Sequence, residues 1–179
     1  MRLFFAVFPD SETRRRLAAA AQALVLDDES RRVPSENYHM TLAFIGEVSA
    51  PLAALEAVGA AQRIPAFTAR FDGYEYWPEP SVVVARTSSC PAPLEDLRRG
   101  LCSDLAQCGV SLDDRPFRPH VTIARKVPQA PVLQAMSEIA WTAHSFQLAR
   151  SDRSRAGAVY TVVDSWSLLD KERMRDKTP

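Results

Sequence analysis

Cysteine is scarce and badly placed for cross-linking. Only Cys90, Cys102 and Cys108 occur in 179 residues, an odd number with no secretory pattern around it, which argues against a disulfide framework. None has the spacing of zinc ligands, and Cys102 and Cys108 fall in an expected helix as small apolar residues. Long hydrophobic runs are missing too: none approaches the roughly 20 residues that a membrane span needs. The opening MRLFFAVFPD is apolar but short, is ended by Pro9 and Asp10, and is followed by no small-residue cleavage site. It is read as a buried first strand rather than a signal peptide, and a cytoplasmic location is the expectation. Excess charge of one sign is absent as well. The formal net charge is zero, which excludes a large uniform basic field for holding nucleic acid. Histidine is rare, with three in the chain: His39, His120 and His144.

What is present is an ordinary globular composition, 46% hydrophobic and 25% charged, enough for one core or for one domain of two lobes. The basic residues are mostly arginines in local groups, Arg14 to Arg16, Arg31 and Arg32, Arg98 and Arg99, then Arg115, Arg118 and Arg125. Arginine suits bidentate contact with phosphate, although most of these groups read as solvated faces.

Residues 2–8 predict a central strand, and Ser11 is expected to cap a helix of about 15 residues. Residues 28–37 read as a loop, 38–46 as a strand and 50–63 as a helix. A strand over 67–76, a turn at 77–80 and a return over 81–86 follow. A helix over 94–108 ends at Gly109, a strand covers 120–126, and a short helix is expected at 131–139. Residues 141–150 and 158–166 read as a closing hairpin, and the charged tail KERMRDKTP as frayed.

Two stretches run alike. HMTL at 39–42 and HVTI at 120–123 each begin a strand, followed by a helix, a longer strand, a loop and a return strand. This order suggests an internal duplication. The fold class expected is α+β with antiparallel sheets, and if the halves are related by a local two-fold axis the two polar pairs face each other across a cleft. Residues 1–179 are expected to form a single bilobal domain with one motif in each lobe.

Strand alternation gives the motif its chemistry. Residues i and i+2 share a face, so His39 projects with Thr41 and His120 with Thr122, while Met40, Leu42, Val121 and Ile123 turn inward. Two imidazoles on opposite walls supply an acid and a base near neutral pH for in-line displacement at phosphorus. Two threonine hydroxyls can hold the non-bridging oxygens. No acidic cluster with metal-ligand spacing accompanies them, so a metal-free mechanism without cofactors is expected. His144 lacks the threonine and is read as structural.

The longer segments carry a resemblance. PSENYHMTLAFIGEV at 34–48 and FRPHVTIAR at 117–125 resemble the two signatures of the two-histidine (2H) phosphoesterases. RLFFAVFPD resembles the opening strand of one branch, the bacterial and archaeal RNA 2′,3′-cyclic phosphodiesterases, long called 2′-5′ RNA ligases. The departures, Tyr38 and Ile123 where leucine is common, lie off the catalytic face.

The resemblance implies a bilobal α+β fold, two pseudo-symmetric antiparallel sheets with helices on the outside and a central cleft lined by the two HxT strands, and hydrolysis of a terminal RNA 2′,3′-cyclic phosphate to a 2′-phosphomonoester, with His39 as general acid and His120 as general base. Thr41 and Thr122 would hold the phosphate, and Arg125 would add charge. Alternation alone turns Arg125 away from His120, so a twist or bulge has to redirect it. The partners implied are RNA ends or small nucleotides bearing the cyclic phosphate, with no metal, no membrane and a monomeric protein. Reversible ligation of 2′-5′ bonds is implied as well, and without a GxxxxGK[ST] loop an ATP-driven version is not expected. The alternatives are a related phosphodiesterase acting on ADP-ribose cyclic phosphate or 2′-5′ oligoadenylate, and an RNA-end binding module without turnover. Phe5, Phe44, Phe117 and Tyr74 are candidates for the aromatic that stacks on a base.

Overall fold

The computed structural model describes residues 2–47, 50–112, 115–154 and 157–170. It is an α+β fold built on two four-stranded antiparallel sheets and a two-stranded one. The first sheet contains β1 (Arg2–Val7), β3 (Met40–Gly46), β9 (Ser145–Ser154) and β10 (Gly157–Ser167), in the order β10-β9-β1-β3. The second contains β2 (Arg31–Arg32), β5 (Gly73–Trp77), β6 (Val82–Arg86) and β7 (His120–Arg125), in the order β2-β7-β6-β5. β4 (Phe67–Phe71) pairs with β8 (Ile139–Ala143). The two HxT segments therefore lie on different sheets, and β3 and β7 are in contact.

The two halves repeat their order of strands, without a helix after the second motif, and their hairpins are exchanged. β3 pairs antiparallel with β1 and β1 with β9, just as β7 pairs with β6 and β6 with β5. The hairpin that follows the first motif, β5–β6, thus joins the strand of the second. The hairpin that follows the second, β9–β10, joins the sheet of the first through β1.

β1 is buried on both faces, as its unbroken apolar run requires. Leu3, Phe5 and Val7 enter the main core, while Phe4 and Ala6 form a smaller cluster with Ala149, flanked by Phe8 and Tyr160. Among the described residues, three α-helices accompany the sheets. α1 (Ser11–Gln22) touches β7 and β8, and the Tyr74 hydroxyl on β5 donates to the Ala20 carbonyl (3.0 Å). α3 (Ala92–Gln107) touches β3 and buries Leu94, Leu97, Leu101 and Leu105, one stripe at helical spacing. It ends at Gly109, whose φ of +75° suits glycine. α2 (Leu52–Ala61) lies against β10, where Trp166 stacks on Phe146 and meets Phe5 at a tilt.

Several expectations are corrected. No helix forms at 131–139: residues 130–138 are irregular, and Ile139 already belongs to β8. Eight residues after Pro131 are too few to sustain a helix alone, and Leu133 and Met136 reach the core from this irregular path. The expected strand 67–76 is two strands. Asp72 breaks it, its carboxylate accepting from the Ser88 amide (3.1 Å) and pairing with Arg86. Residues 141–150 also divide, at His144, whose carbonyl accepts from the Leu168 amide (2.8 Å). α1 has 12 residues and is capped by Asp10 instead of Ser11, since the Asp10 carboxylate accepts from the Thr13 amide (2.8 Å). The stretch 28–37 carries β2 and a short 3-10 turn, Ser35–Asn37. The tail 171–179 falls outside the described residues.

The α2–β10 contact yields a test with an unusual sign. An exposed helical Gly→Ala change stabilises by up to about 1 kcal/mol, but a Cβ on Gly59 would lie 2.5 Å from the Trp166 ring. Gly59→Ala should instead destabilise, by roughly 1–3 kcal/mol, in urea unfolding; a midpoint that rises would show that Trp166 does not rest on this helix.

Candidate active site

His39 immediately precedes β3 and His120 opens β7, and both are half-buried. The two rings are held in the same way. His39 Nδ1 lies 2.7 Å from the Asn37 carbonyl oxygen and His120 Nδ1 lies 2.6 Å from that of Arg118. A carbonyl can only accept, so Nδ1 carries the proton in both rings and Nε2 is the atom left for chemistry. A neutral ring then offers a lone pair at Nε2, and a protonated ring a donor at the same place.

The supports differ. On the first side the Asn37 side-chain amide donates to the Ala158 carbonyl of β10 (3.0 Å), tying the holding residue to the sheet. Phe4, Phe8 and Tyr160 surround the His39 ring at centroid distances of 5.1, 5.6 and 4.7 Å. On the second side Arg118 Nη2 donates to both oxygens of Glu75 (2.7 and 2.5 Å), and its guanidinium lies over Trp77. Trp77 in turn meets the His120 ring edge-on at 4.4 Å.

A register slip after each threonine sets the next contacts. Thr41 pairs with Ala6 and Ala43 with Phe5, which leaves Leu42 unpaired. Thr122 pairs with Val84 and Ala124 with Val83, which leaves Ile123 unpaired. In both motifs the extra residue is the fourth, so alternation shifts phase at the same point. The fifth residue beyond each histidine, Phe44 or Arg125, returns to the histidine's side of the sheet. This is the bulge that Arg125 needs in order to join the site.

A cleft of about 380 Å³ is lined by Arg2, Phe4, His39, Thr41, Phe44, Arg125, Ser151, Ala158 and Tyr160. Arg125 of the second sheet therefore reaches the pocket of the first. His120 and Thr122 stand outside that lining; Thr122 is half-buried between Val121 and Ile123, which are fully buried.

Electrostatics link the members. Burial, opposed by the Asn37 hydrogen bond and reinforced by Arg125 and His120, lowers the His39 pKa to about 4. Burial also lowers that of His120, opposed by its bond to the Arg118 carbonyl and by Glu75, and reinforced by Arg118 and Arg125. The Glu75 carboxyl is itself held below its usual range, chiefly by its hydrogen bond from Arg118. Arg125 thus acts on both imidazoles, and a charge on His120 disfavours one on His39. Tyr38, whose side chain is buried beside the first motif, has its phenol pushed up to about 12, mainly by burial.

Asn37, Phe4, Phe8 and Tyr160 around His39, and Glu75, Trp77 and Arg118 around His120, escaped sequence reasoning. Residues at i−2 from each histidine act through their carbonyls, which side-chain chemistry does not reveal. Trp77 reads from sequence as a turn residue, whereas it ends β5. Among the described residues, no three His, Cys, Asp or Glu side chains come together as a candidate metal site, and no helix is long and apolar enough to cross a membrane.

A family model described as the 2′-5′ RNA ligase superfamily matches residues 9–155. A protein of Escherichia coli (strain K12) described as RNA 2′,3′-cyclic phosphodiesterase is 31% identical over 169 residues, covering 93% of this chain and 96% of its own. A protein of Thermus thermophilus with the same description is 34% identical over 187 residues, covering 94% and 90%. Among solved structures, E. coli LigT complexed with 3′-AMP superposes with a TM-score of 0.86 at 31% identity, over 94% of this chain and 98% of that one. The chain belongs to the 2′-5′ RNA ligase superfamily, whose two-histidine character matches the motifs at 39–42 and 120–123.

The low pKa of His39 makes a prediction about stability. The unfolded chain protonates His39 near 6.5 and the folded chain near 4. Between these values the unfolded state binds more protons, so the stability contributed by a neutral His39 is complete above pH 6.5 and is lost as pH falls toward 4. His39→Gln should therefore lose less Tm than the native chain over that interval. Parallel Tm–pH curves would contradict the burial of this ring.

Proposed function

We propose that this member of the 2′-5′ RNA ligase superfamily is an RNA 2′,3′-cyclic phosphodiesterase that opens a terminal cyclic phosphate to a 2′-phosphomonoester. The observation that carries the proposal is the matched pair of Nδ1-anchored imidazoles, His39 and His120, on two sheets that share Arg125. The described relatives share this activity by name, and the LigT structure carries a nucleoside monophosphate. The chain is proposed to act as one bilobal monomer, since the acid and the base belong to different sheets.

In the proposed reaction His120 Nε2 takes a proton from water as the water oxygen attacks phosphorus. The P–O3′ bond breaks on the opposite side, and His39 Nε2 gives its proton to O3′. The product keeps the phosphate on O2′. Thr41 and Thr122 donate to non-bridging oxygens while Arg125 balances their charge. Ligation of 2′-5′ bonds would use the same groups in the same roles, with a 5′-hydroxyl replacing water as the nucleophile, and its reversal would exchange acid and base.

The assignment of roles follows the family resemblance, and it places a demand on the substrate. With its pKa lowered to about 4, His39 is neutral near pH 7, so it becomes an acid only when the phosphate charge beside Nε2 raises its pKa. The same anion would offset the depression that Arg125 imposes on both rings.

His39→Ala and His120→Ala should each lower kcat on a 2′,3′-cyclic mononucleotide by about two to four orders of magnitude. Thr41→Ala and Thr122→Ala should cost less, and a chelator should leave the rate unchanged. Near-native kcat in either histidine variant would end the paired mechanism, and binding without turnover by the native chain would favour an RNA-end binding module.

The residual pH profiles distinguish the roles. Activity that needs an acid is lost at high pH, so removing the acid removes the alkaline limb; removing the base removes the acidic limb. His39→Ala should lose the alkaline limb and His120→Ala the acidic one, with exchanged limbs reversing the assignment.

A further inference from the structure

Glu75 is an acidic side chain that the proposed chemistry does not use, and it faces the segment that leads into the second motif. Glu75 and Trp77 stand two residues apart on β5 and so share a face. Between them they hold the Arg118 guanidinium: Glu75 accepts from Nη2 with both oxygens, at 2.7 and 2.5 Å, and the Trp77 centroid lies 5.1 Å away. Trp77 also abuts the His120 ring, and the Arg118 carbonyl holds the His120 Nδ1 proton. A closed circuit of contacts thus runs from Glu75 through Arg118 and His120 to Trp77. The Glu75 side chain is 30% exposed, so its ion pair is more sheltered than Arg15–Glu12 or Arg99–Asp96 on the helices.

The backbone around this circuit has little freedom. Pro119 confines Arg118 to extended conformations, and the Pro119 carbonyl accepts from the Thr87 amide at the end of β6 (3.5 Å). With the chain pinned on that side, the grip on the Arg118 side chain fixes the direction of its carbonyl, and the carbonyl fixes the ring.

Charge gives Glu75 a second effect. Arg118 and Arg125 both oppose a positive charge on His120, and Glu75 favours it. Arg86, the register partner of His120 on β6, is answered by Asp72. His39 opposes the same charge from the entry to β3. α1, packed on β7, turns Thr13, Leu17 and Ala21 inward, none of them charged. Arg125 is assigned to the phosphate in the proposed reaction, so the cation to be offset beside His120 is Arg118.

We propose that Glu75 is a positioning residue for His120: its grip on Arg118 aims the carbonyl that fixes the Nδ1 proton, and its charge offsets the guanidinium beside the ring. The inference rests on the phosphodiesterase reading for the direction of proton transfer. As the water oxygen bonds to phosphorus, its proton passes to His120 Nε2 and the ring becomes a cation. Glu75 takes no proton; it keeps the ring aimed and stabilises the cation through Arg118 and through space.

The test reads the ring separately from turnover. Glu75→Gln keeps the shape and removes the charge, Glu75→Asp keeps the charge and shortens the reach, and Glu138→Gln breaks the exposed ion pair with Arg70 as a control. NMR of the histidine ring nitrogens would follow His120 across pH, its signals assigned by their loss in His120→Asn. In parallel, kcat and KM would be measured on 2′,3′-cyclic AMP. Removing a carboxylate that favours the cation lowers the His120 midpoint, so the acidic limb of kcat/KM moves to lower pH. Glu75→Gln should move both down by roughly 0.3–1 pH unit. It should also lower kcat about tenfold or more, with KM held within about twofold. Glu75→Asp should recover most of the midpoint, and Glu138→Gln should change neither quantity. An unmoved His120 midpoint with native kcat in Glu75→Gln overturns the proposal, as does a loss confined to KM or one matched by Glu138→Gln. A midpoint that moves in a chain that hydrolyses nothing would reject the phosphodiesterase and keep the hold of Glu75 on His120.

Discussion

The hydrogen bond from an imidazole Nδ1 to the backbone carbonyl two residues earlier is the interaction on which this site depends. It occurs twice, at Asn37–His39 and at Arg118–His120. By occupying one ring nitrogen it fixes the tautomer and reserves the other for a proton donated or received. Because the acceptor is backbone and only two residues away, the ring is oriented by the strand entry itself. Each sheet then secures that entry with different means: Asn37 is tied to Ala158, and Arg118 is clamped by Glu75 and Trp77. Identical local geometry with unlike surroundings lets two chemically equal side chains acquire unequal proton affinities. Three aromatic rings desolvate His39, whereas Glu75 lies within electrostatic reach of His120.

The repeated register slip is the second organising feature. A regular strand would have turned Arg125 and Phe44 to the face opposite their histidines. One unpaired residue, Leu42 in one strand and Ile123 in the other, reverses this after the threonine and before the fifth residue. The Ile123 carbonyl does not go unused: it accepts from the Val33 amide at 2.9 Å, which joins β2 to the bulged strand. The motif is thus longer than its tetrapeptide, ending at a sixth residue whose direction depends on the irregularity within.

The sequence made some of this legible and hid the rest for physical reasons. HMTL and HVTI declared themselves because alternation alone puts histidine and threonine on one face, and few other residues in the chain have that chemistry. The unbroken apolar run RLFFAV marked a strand covered on both sides. Direction after the bulge was not readable, because Leu42 and Ile123 are ordinary inward-facing residues whose looping out is set by pairing with β1 and β6. Residues 131–139 have helical composition, yet eight residues beside prolines cannot outweigh the pairing that Ile139–Ala143 gain with β4. The exchange of hairpins was hidden for a related reason: the order of elements shows which segments are alike, but not which sheet each will complete.

That exchange bears on how the polypeptide matures. β1 precedes its partner β9, at Ser145–Ser154, by more than half the chain. The sheet beneath His39 therefore cannot close on a nascent chain until β9 has left the ribosome tunnel, whereas β5, β6 and β7 can pair much earlier. A translation product lacking the C-terminal hairpin would leave β1 paired on one side only and would lack the Tyr160 ring that packs against His39.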